Sequence, residues 1–178
     1  MDSMNEGQRY TAMYRRHYDA IETYVARRAQ PGSVTDVVAD VFLTAWRRFH
    51  ELPADRQLPW LYGVARRTLA NDRRSQQRRS SLSELLAAQP AVALDGHADD
   101  VIAAADFARA FDELNLNDQE VLRLTVWENL EPAEVAKVLN CGTAAARVRL
   151  HRARKRFAKL LFVSDSRPVN SVREDTNA

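Results

Sequence analysis

Apolar and aromatic residues recur at intervals of three and four along most of this chain, and this spacing limits the fold to helices. Over about residues 8–29 one such stripe includes Tyr14, Ile21 and Val25, and Pro31 follows it as a helix terminator. The alternation of apolar and polar residues that marks a half-buried strand does not occur. The sequence therefore predicts an all-α fold.

A second helix is predicted from Ser33 or Thr35 to about Phe49, and a third from about Trp60, after a loop at residues 51–59. The inward face of the second helix carries Val38, Val41, Phe42, Ala45, Trp46 and Phe49. Its opposite face carries Asp36, Asp40, Leu43 and Arg47, so two acids and a leucine share a surface that we expect to be exposed.

Residues 80–101 interrupt the helical pattern with a stretch rich in Ala, Ser, Gln and Asp. We therefore predict two small helical domains, at residues 8–79 and 102–162, joined by a flexible linker that contains one helical turn at residues 82–88. The last residues, 163–178, are polar and without periodicity, and we predict that they are disordered.

Several classes of protein are excluded. The single cysteine, Cys141, cannot form an internal disulfide, and no metal-binding spacing of Cys and His is present. No signal peptide or apolar run of about 20 residues occurs, so we expect a cytoplasmic chain without membrane contact. No nucleophile elbow, P-loop, HExxH or dinucleotide fingerprint is found, which predicts a protein that is not an enzyme and needs no cofactor.

Charge is distributed unevenly, although the formal net charge is only +2. Residues 66–79 contain six Arg and one Asp, and residues 147–159 contain seven Lys or Arg and no acid. Between them, residues 80–136 contain two Arg and twelve Asp or Glu. Two separate basic segments favour contact with a polyanion at two places, and the alternative is that both are merely solvated helix faces.

The second basic segment completes a helix-turn-helix pattern. A short helix at residues 133–139, a turn at residues 140–142 and a long helix at residues 143–162 have the required lengths. The apolar residues predicted to pack the two helices together are Val135, Val138, Leu139, Ala146, Leu150, Ala153 and Phe157. The residues left to contact duplex DNA are Thr143, Arg147, Arg149, His151, Arg152 and Arg154.

The first basic segment has its own pattern on the third helix. Arg67, Asn71, Arg74 and Arg78 form one stripe, and Arg66 and Arg73 flank it. Guanidinium and amide groups bind phosphates and base edges. The aromatic residues Phe49, Trp60 and Tyr62 lie near this stripe in the sequence, as a surface for unstacked single-stranded bases would require. For Trp60, a place in the core is the alternative prediction.

Together these segments resemble the extracytoplasmic-function (ECF) group of bacterial RNA polymerase sigma factors. The blocks YRRHY at residues 14–18, DVVADVFLTAW at 36–46 and WLYGVARR at 60–67 are similar to domain two of that group. The blocks QEVL at residues 119–122 and VRLHRARKR at 148–156 are similar to its domain four.

The resemblance implies a role for each surface. Asp36, Asp40, Leu43 and Arg47 would bind the beta-prime clamp helices of core RNA polymerase, and the beta flap would be a second polymerase contact. The loop at residues 50–59 and the helix at 60–74 would open the minus-ten promoter element, and the last helix would bind the minus-thirty-five element as duplex. The family also implies an anti-sigma partner.

The chain departs from the family pattern at several positions. Ala39, Arg67, Asn71, Asn140 and Gly142 each replace a residue type that is frequent in the family. Polymerase contact would therefore depend on Asp36 and Asp40. Two rival hypotheses are a helix-turn-helix repressor or activator that is not a polymerase subunit, and a helical adaptor that binds no nucleic acid.

Overall fold

The computed structural model describes residues 5–80 and 98–165, with side chains for 5–78 and 105–162. Within these ranges the regular structure is helical, as predicted. The helices are α1 (Glu6–Ala26), α2 (Val34–Arg47), α3 (Gln57–Ser80), α4 (Ala98–Asp112), α5 (Leu116–Val126), α6 (Pro132–Val138) and α7 (Thr143–Asp165), with short 3-10 helices at Pro31–Ser33 and Phe49–Glu51.

Several helix boundaries differ from the prediction. Helix α2 ends at Arg47 instead of about Phe49, and α3 begins at Gln57, inside the loop predicted at residues 51–59. Helix α1 ends at Ala26 because Pro31 forces Gln30 into an extended conformation and the chain leaves the helix before it. Helix α4 begins at Ala98, inside the stretch assigned to the linker, and α7 continues to Asp165, inside the predicted tail. The helical turn expected at residues 82–88, and residues 166–178, lie outside the described residues.

Helices α1, α2 and α3 form the first domain around one apolar core. Asn5 and Gln8 form a capping box at the start of α1, so both exposed amides there are satisfied. Ile21, Val41 and Leu61, one from each helix, are fully buried. The core fixes the outward face of α3, which carries the basic stripe.

Trp46 corrects the predicted inward face of α2. Val38, Val41, Phe42, Ala45 and Phe49 are buried as expected, but Trp46 remains 48% exposed. Helix α1 covers the centre of the stripe and leaves Trp46 at its margin, where the indole packs edge-on against Tyr10 at a ring-centroid distance of 4.8 Å.

Helices α4 to α7 form the second domain. Asn117 and Glu120 have the spacing of a capping box and predict a helix that starts at Asn117. The N-cap of α5 is instead Asn115, whose side chain accepts hydrogen bonds from the amides of Asn117 and Asp118. The side chain of buried Gln119 donates to the carbonyl oxygens of Phe111 and Leu114, which fixes the α4–α5 turn.

Helices α6 and α7 have the predicted helix-turn-helix geometry. Asn140 has a φ of 51° between them, a conformation that asparagine tolerates better than most residues. Val135, Val138, Ala146, Leu150 and Ala153 are buried in the contact. Leu139 and Phe157 are half-buried against the same core. The apolar side of α7 is therefore occupied, and its basic side faces outward.

The two domains pack against each other, mainly through α3 and α6. The close approach occurs at Gly63, where an added Cβ would lie 3.9 Å from Cα of Val138 and 4.0 Å from the carbonyl oxygen of Lys137. A small residue at this point lets the two helix backbones come together.

Candidate nucleic-acid interfaces

The basic stripe on α3 lies beside the second domain. Arg67, Asn71, Arg74 and Arg78 are exposed along one side of the helix, as are Arg73 and Ala70, and Arg66 is half-buried. Within the stripe, a guanidinium nitrogen of Arg74 donates to the amide oxygen of Asn71 at 2.7 Å. Arg73 donates to the carbonyl oxygen of Arg28 at 3.1 Å. The stripe is therefore held in part by contacts within the protein.

The aromatic residues expected next to this stripe divide into two groups. Phe49 and Tyr62 are buried, 7% and 3% exposed, so they belong to the core and cannot stack on bases in this arrangement. Burial and the nearby charge of Glu128 raise the pKa of Tyr62 to about 12. Trp60 is half-buried and the guanidinium of Arg48 lies 5.8 Å from its ring centroid, so its ring keeps some contact with solvent.

The basic side of α7 is more open. Arg147, Arg149, His151, Arg152 and Arg154 are all exposed. Thr143, at the first turn of the helix, is half-buried. No ion pair to these four arginines occurs within the described ranges, so their guanidiniums face solvent. By contrast, Arg156 is held by the buried carboxylate of Asp118 at 2.5 Å and is part of the fold of the domain.

The acidic face of α2 is also open. Asp36, Asp40, Leu43 and Arg47 are exposed, and the side chain of Leu43 remains 45% accessible. An exposed apolar side chain that follows two carboxylates on one helix face suits a protein partner better than a nucleic acid.

The contact between the domains contains a buried ion-pair network that the sequence did not reveal. The guanidinium of Arg28, on α1, donates to Glu120 at 2.9 Å and to Glu128 at 2.9 Å, and the hydroxyl of Tyr24 donates to Glu120 at 2.7 Å. The Arg28 side chain is 2% exposed. Burial acts to lower the pKa of Arg28, but its contacts with Tyr24, Glu120 and Glu128 outweigh burial and raise it.

A signal for this network was present in the sequence. Arg28 continues the apolar stripe of α1 after Ile21 and Val25, and an arginine in a buried stripe needs carboxylate partners. The sequence offers no means of selecting Glu120 and Glu128 among the many acids of the second half.

Two of the clefts along this contact border α3. One, of about 380 Å³, is lined by residues of α1, α3 and α5, namely Tyr24, Arg28, Arg66, Arg67, Leu69, Ala70, Asn71, Arg73, Arg74, Leu116, Asn117, Glu120 and Arg123. The other, of about 460 Å³, lies between Trp60 and Arg67 on one side and Lys137 and Cys141 on the other. Most of the α3 stripe therefore borders a cleft between the domains, and within the stripe only Arg66 is half-buried.

No cluster of His, Cys, Asp and Glu suited to a metal ion occurs in the part of the chain that the structure describes. Among the same residues, no helix has the length and apolar character needed to cross a bilayer.

Comparison with known proteins decides the family. The model of sigma-70 region 2 matches residues 13–79, within the first domain, and the model of sigma-70 region 4 matches residues 104–157, within the second. The two regions occur in the family's order and together span both domains. This chain belongs to the sigma-70 family of RNA polymerase sigma factors. Its resemblance to the ECF group is confirmed.

Among its relatives is RNA polymerase sigma factor NccH of Alcaligenes xylosoxydans xylosoxydans, which is 26% identical over 166 residues, covering 88% of this chain and 89% of that protein. Sigma factor RpoE from Bartonella quintana, solved with the anti-sigma factor NepR, has a TM-score of 0.63 at 19% identity, covering 86% of this chain and 97% of RpoE. CnrH, solved with the cytosolic domain of CnrY, has a TM-score of 0.60 at 23% identity, covering 90% and 92%. The sigma factor described here therefore has the fold of these proteins, and it directs RNA polymerase to promoters.

Proposed function

We propose that this sigma factor reads its promoters with two separate surfaces. The α3 surface, defined as Trp60, Arg66, Arg67, Asn71, Arg73, Arg74 and Arg78, would hold the opened minus-ten element as single-stranded DNA. The α7 surface, defined as Thr143, Arg147, Arg149, His151, Arg152 and Arg154, would bind the minus-thirty-five element as duplex. The two domains, residues 8–79 and 102–162, would each bind one element.

The observation that carries this proposal is the organisation of α7. One side of the helix is packed on α6 through Ala146, Leu150 and Ala153, and the other side presents a row of exposed arginines. The second helix of a helix-turn-helix enters the major groove with its N-terminal residues toward the base edges. Arg147 and Arg149 lie in the first two turns and suit base contact, whereas Arg152 and Arg154 suit phosphate contact.

The α3 surface suits a single strand. Its guanidiniums track one side of a helix of 24 residues, and Trp60 lies at the N-terminal end with part of its ring accessible. A basic groove with an aromatic side chain binds unpaired bases through phosphate attraction and stacking, the latter worth about 1–3 kcal/mol for each base.

The acidic face of α2 would bind core RNA polymerase. Asp36 and Asp40 lie one helical turn apart, and Leu43 and Arg47 continue the same exposed face. This face does not border the clefts between the domains, so polymerase could bind it in the closed arrangement. The chain contributes no catalytic residue in this proposal, since the polymerase performs the chemistry.

Simultaneous use of both DNA surfaces requires the domains to separate. The two promoter elements are about 25 base pairs apart, which corresponds to about 85 Å of duplex at about 3.4 Å for each base pair. In the structure the two DNA-binding domains are in direct contact through α3 and α6. The arrangement seen here is therefore a closed state that would open on promoter binding.

An anti-sigma factor is the proposed regulator. RpoE was solved with the anti-sigma factor NepR, and CnrH with the cytosolic domain of CnrY. This sigma factor would be held by a protein of the same kind in the cytoplasm, where core polymerase and promoter DNA are present.

The test is transcription in vitro with purified core RNA polymerase, this protein and a fragmented genomic library, followed by sequencing of transcript starts. Discrete starts that depend on the protein, with shared upstream sequences, support the proposal. If no starts form although the protein binds duplex DNA alone, it acts as an independent helix-turn-helix regulator and the proposed roles of α2 and α3 are wrong.

A further inference from the structure

The cleft of about 380 Å³ between the domains has an unusual charge composition. Six guanidiniums, those of Arg28, Arg66, Arg67, Arg73, Arg74 and Arg123, line it together with a single carboxylate, that of Glu120. Arg28 is already neutralised by Glu120 and Glu128. The other five arginines have no ion pair within the described ranges, so the cleft carries a large uncompensated positive charge.

The pKa values of two of these arginines are lowered in part by neighbouring arginines. Burial lowers the pKa of Arg123, and the like charges of Arg28 and Arg73 lower it further against the opposing effect of Glu120 and Asp112. The pKa of Arg67 is lowered by the same combination, with Arg48 and Arg66 as the neighbouring charges. Positive charges on both sides of the cleft therefore repel each other, although the two domains are packed together.

Contact with promoter DNA does not account for Arg123. It lies on α5 of the second domain, outside the helix-turn-helix, with its guanidinium 5.0 Å from the ring centroid of Phe111. It meets Arg66 and Arg73 only because the domains are closed, and a duplex does not fit into a cavity of this volume. A ligand that uses both sides of the cleft must be small.

We propose that this cleft binds a small anion with a chain of two or more phosphates, such as inorganic triphosphate or a nucleoside triphosphate, and that the anion stabilises the closed state. The volume is within the range of about 300–1,000 Å³ that is usual for small-ligand sites. Guanidiniums are the side chains best suited to phosphate because their planar donors match its oxygens. The bound anion links Arg66 and Arg73 on α3 with Arg123 on α5, and thereby competes with single-stranded DNA for the α3 surface.

The inference does not depend on which promoters the protein reads, and direct binding tests it. Isothermal titration calorimetry of the full chain with sodium triphosphate, in low salt and without magnesium, is expected to give one site for each chain. Arg123→Gln and Arg66→Gln, from opposite sides of the cleft, should each weaken binding at least tenfold. Arg149→Gln is the matched control, because it removes the same charge from the exposed side of α7 and should leave the affinity unchanged.

Two further comparisons complete the test. Arg123→Lys keeps the charge without the planar donor pair and should weaken binding less than Arg123→Gln, and circular dichroism of all variants verifies that the helices are retained. Equal affinity for triphosphate and ATP assigns the site to the phosphate chain alone, and tighter binding of ATP indicates that the nucleoside also contacts the cleft.

The proposal is overturned if triphosphate shows no saturable binding. It is also overturned if Arg149→Gln weakens binding as much as the cleft variants, which would indicate attraction to net charge alone. An unchanged affinity of folded Arg123→Gln for triphosphate likewise contradicts the proposal, because the second domain would then contribute nothing to binding.

Discussion

The two arginine-rich surfaces of this sigma factor are similar in composition and different in accessibility. The arginines of the α7 surface are exposed and unpaired within the described residues. The α3 surface borders the clefts formed with the second domain: Arg66 is half-buried and Arg73 is bonded to the backbone of the first domain, although Arg67, Arg74 and Arg78 keep exposed side chains. Composition alone therefore does not determine which surface is ready to bind DNA, because the closed state leaves one open and restricts the other.

The closed state, which limits access to the α3 surface, depends on a few contacts between the domains. Arg28 links α1 to two carboxylates of the second domain, and Gly63 lets α3 approach α6. Variants at these positions should abolish the difference between the surfaces, and variants on the exposed surfaces should not affect it.

The largest effect is expected from Arg28→Ala. Removal of one member of a buried ion pair leaves uncompensated carboxylates and costs about 3–5 kcal/mol. Glu120 and Glu128 become hydrated again if the domains separate. The ratio of closed to open molecules should therefore fall at least a hundredfold. Modification by phenylglyoxal, followed by mass spectrometry, should then find Arg66 as reactive as Arg149.

Arg27→Ala is the control for that experiment. The Arg27 side chain is 39% exposed and only one guanidinium nitrogen approaches Glu128, at 3.4 Å, a contact worth less than about 1 kcal/mol. Arg66 should stay protected in this variant. Equal exposure of Arg66 in the two variants would mean that the buried pair does not hold the domains together.

The α7 surface should behave independently of closure. Arg147→Ala and Arg149→Ala should each weaken binding of minus-thirty-five duplex by about 1–3 kcal/mol, a factor of about 5 to 150, as measured by fluorescence anisotropy. The loss should be the same in the Arg28→Ala background. Arg15→Ala, which removes an exposed arginine from α1, is the comparison, and a matching loss there would contradict the assignment of the α7 surface.

Gly63 tests the helix contact itself. Gly63→Leu inserts a branched side chain where α6 lies about 4 Å from the Cβ position, and overpacking of this kind costs about 1–3 kcal/mol. Exposure of Arg66 should increase. Gly63→Ala places one methyl group at an ordinary contact distance and should keep the closed state. If Arg66 reacts with phenylglyoxal equally slowly in both variants, the contact at Gly63 does not control closure.

The smallest effect is expected on the acidic face of α2. Asp36→Lys combined with Asp40→Lys reverses two exposed charges and should weaken core polymerase binding about tenfold, since exposed ion pairs contribute up to about 1 kcal/mol each. Thermal unfolding should change little. Asp19→Lys with Glu22→Lys reverses two exposed charges on α1, and a similar loss of polymerase binding there would count against the α2 face.

Local features of the fold could be predicted from sequence because they depend on neighbouring residues. The stripes of α1 and α2 follow from spacing, and the helix-turn-helix follows from the alternation of apolar and basic residues in α7. The spacing places Trp46 in the core because it identifies which face of α2 is buried, but it does not show where the buried part of that face ends. The capping-box spacing favours Asn117 as the cap of α5, but the sequence also has an asparagine two residues earlier, and only the backbone conformation shows that Asn115 is the cap.

The closed state could not be predicted in this way. The contact of Arg28 with Glu120 joins residues 92 positions apart, and no local pattern specifies such a pair. Phe49 and Tyr62 were expected to assist base binding because they are near α3 in sequence, but the same proximity places them in the core beneath it. Burial is a property of the packed helices, and it separates Trp60 from these two residues.

The most direct test of the account is the distance between the domains, measured by single-molecule fluorescence transfer. Dyes on Asp19→Cys in α1 and Lys155→Cys in α7, in a chain with Cys141→Ser, report this distance without altering either DNA surface. The free protein should show one population at short distance, and the complex with core polymerase and promoter should show a distance greater by tens of ångströms. An unchanged short distance in the promoter complex would contradict the claim that the closed state must open.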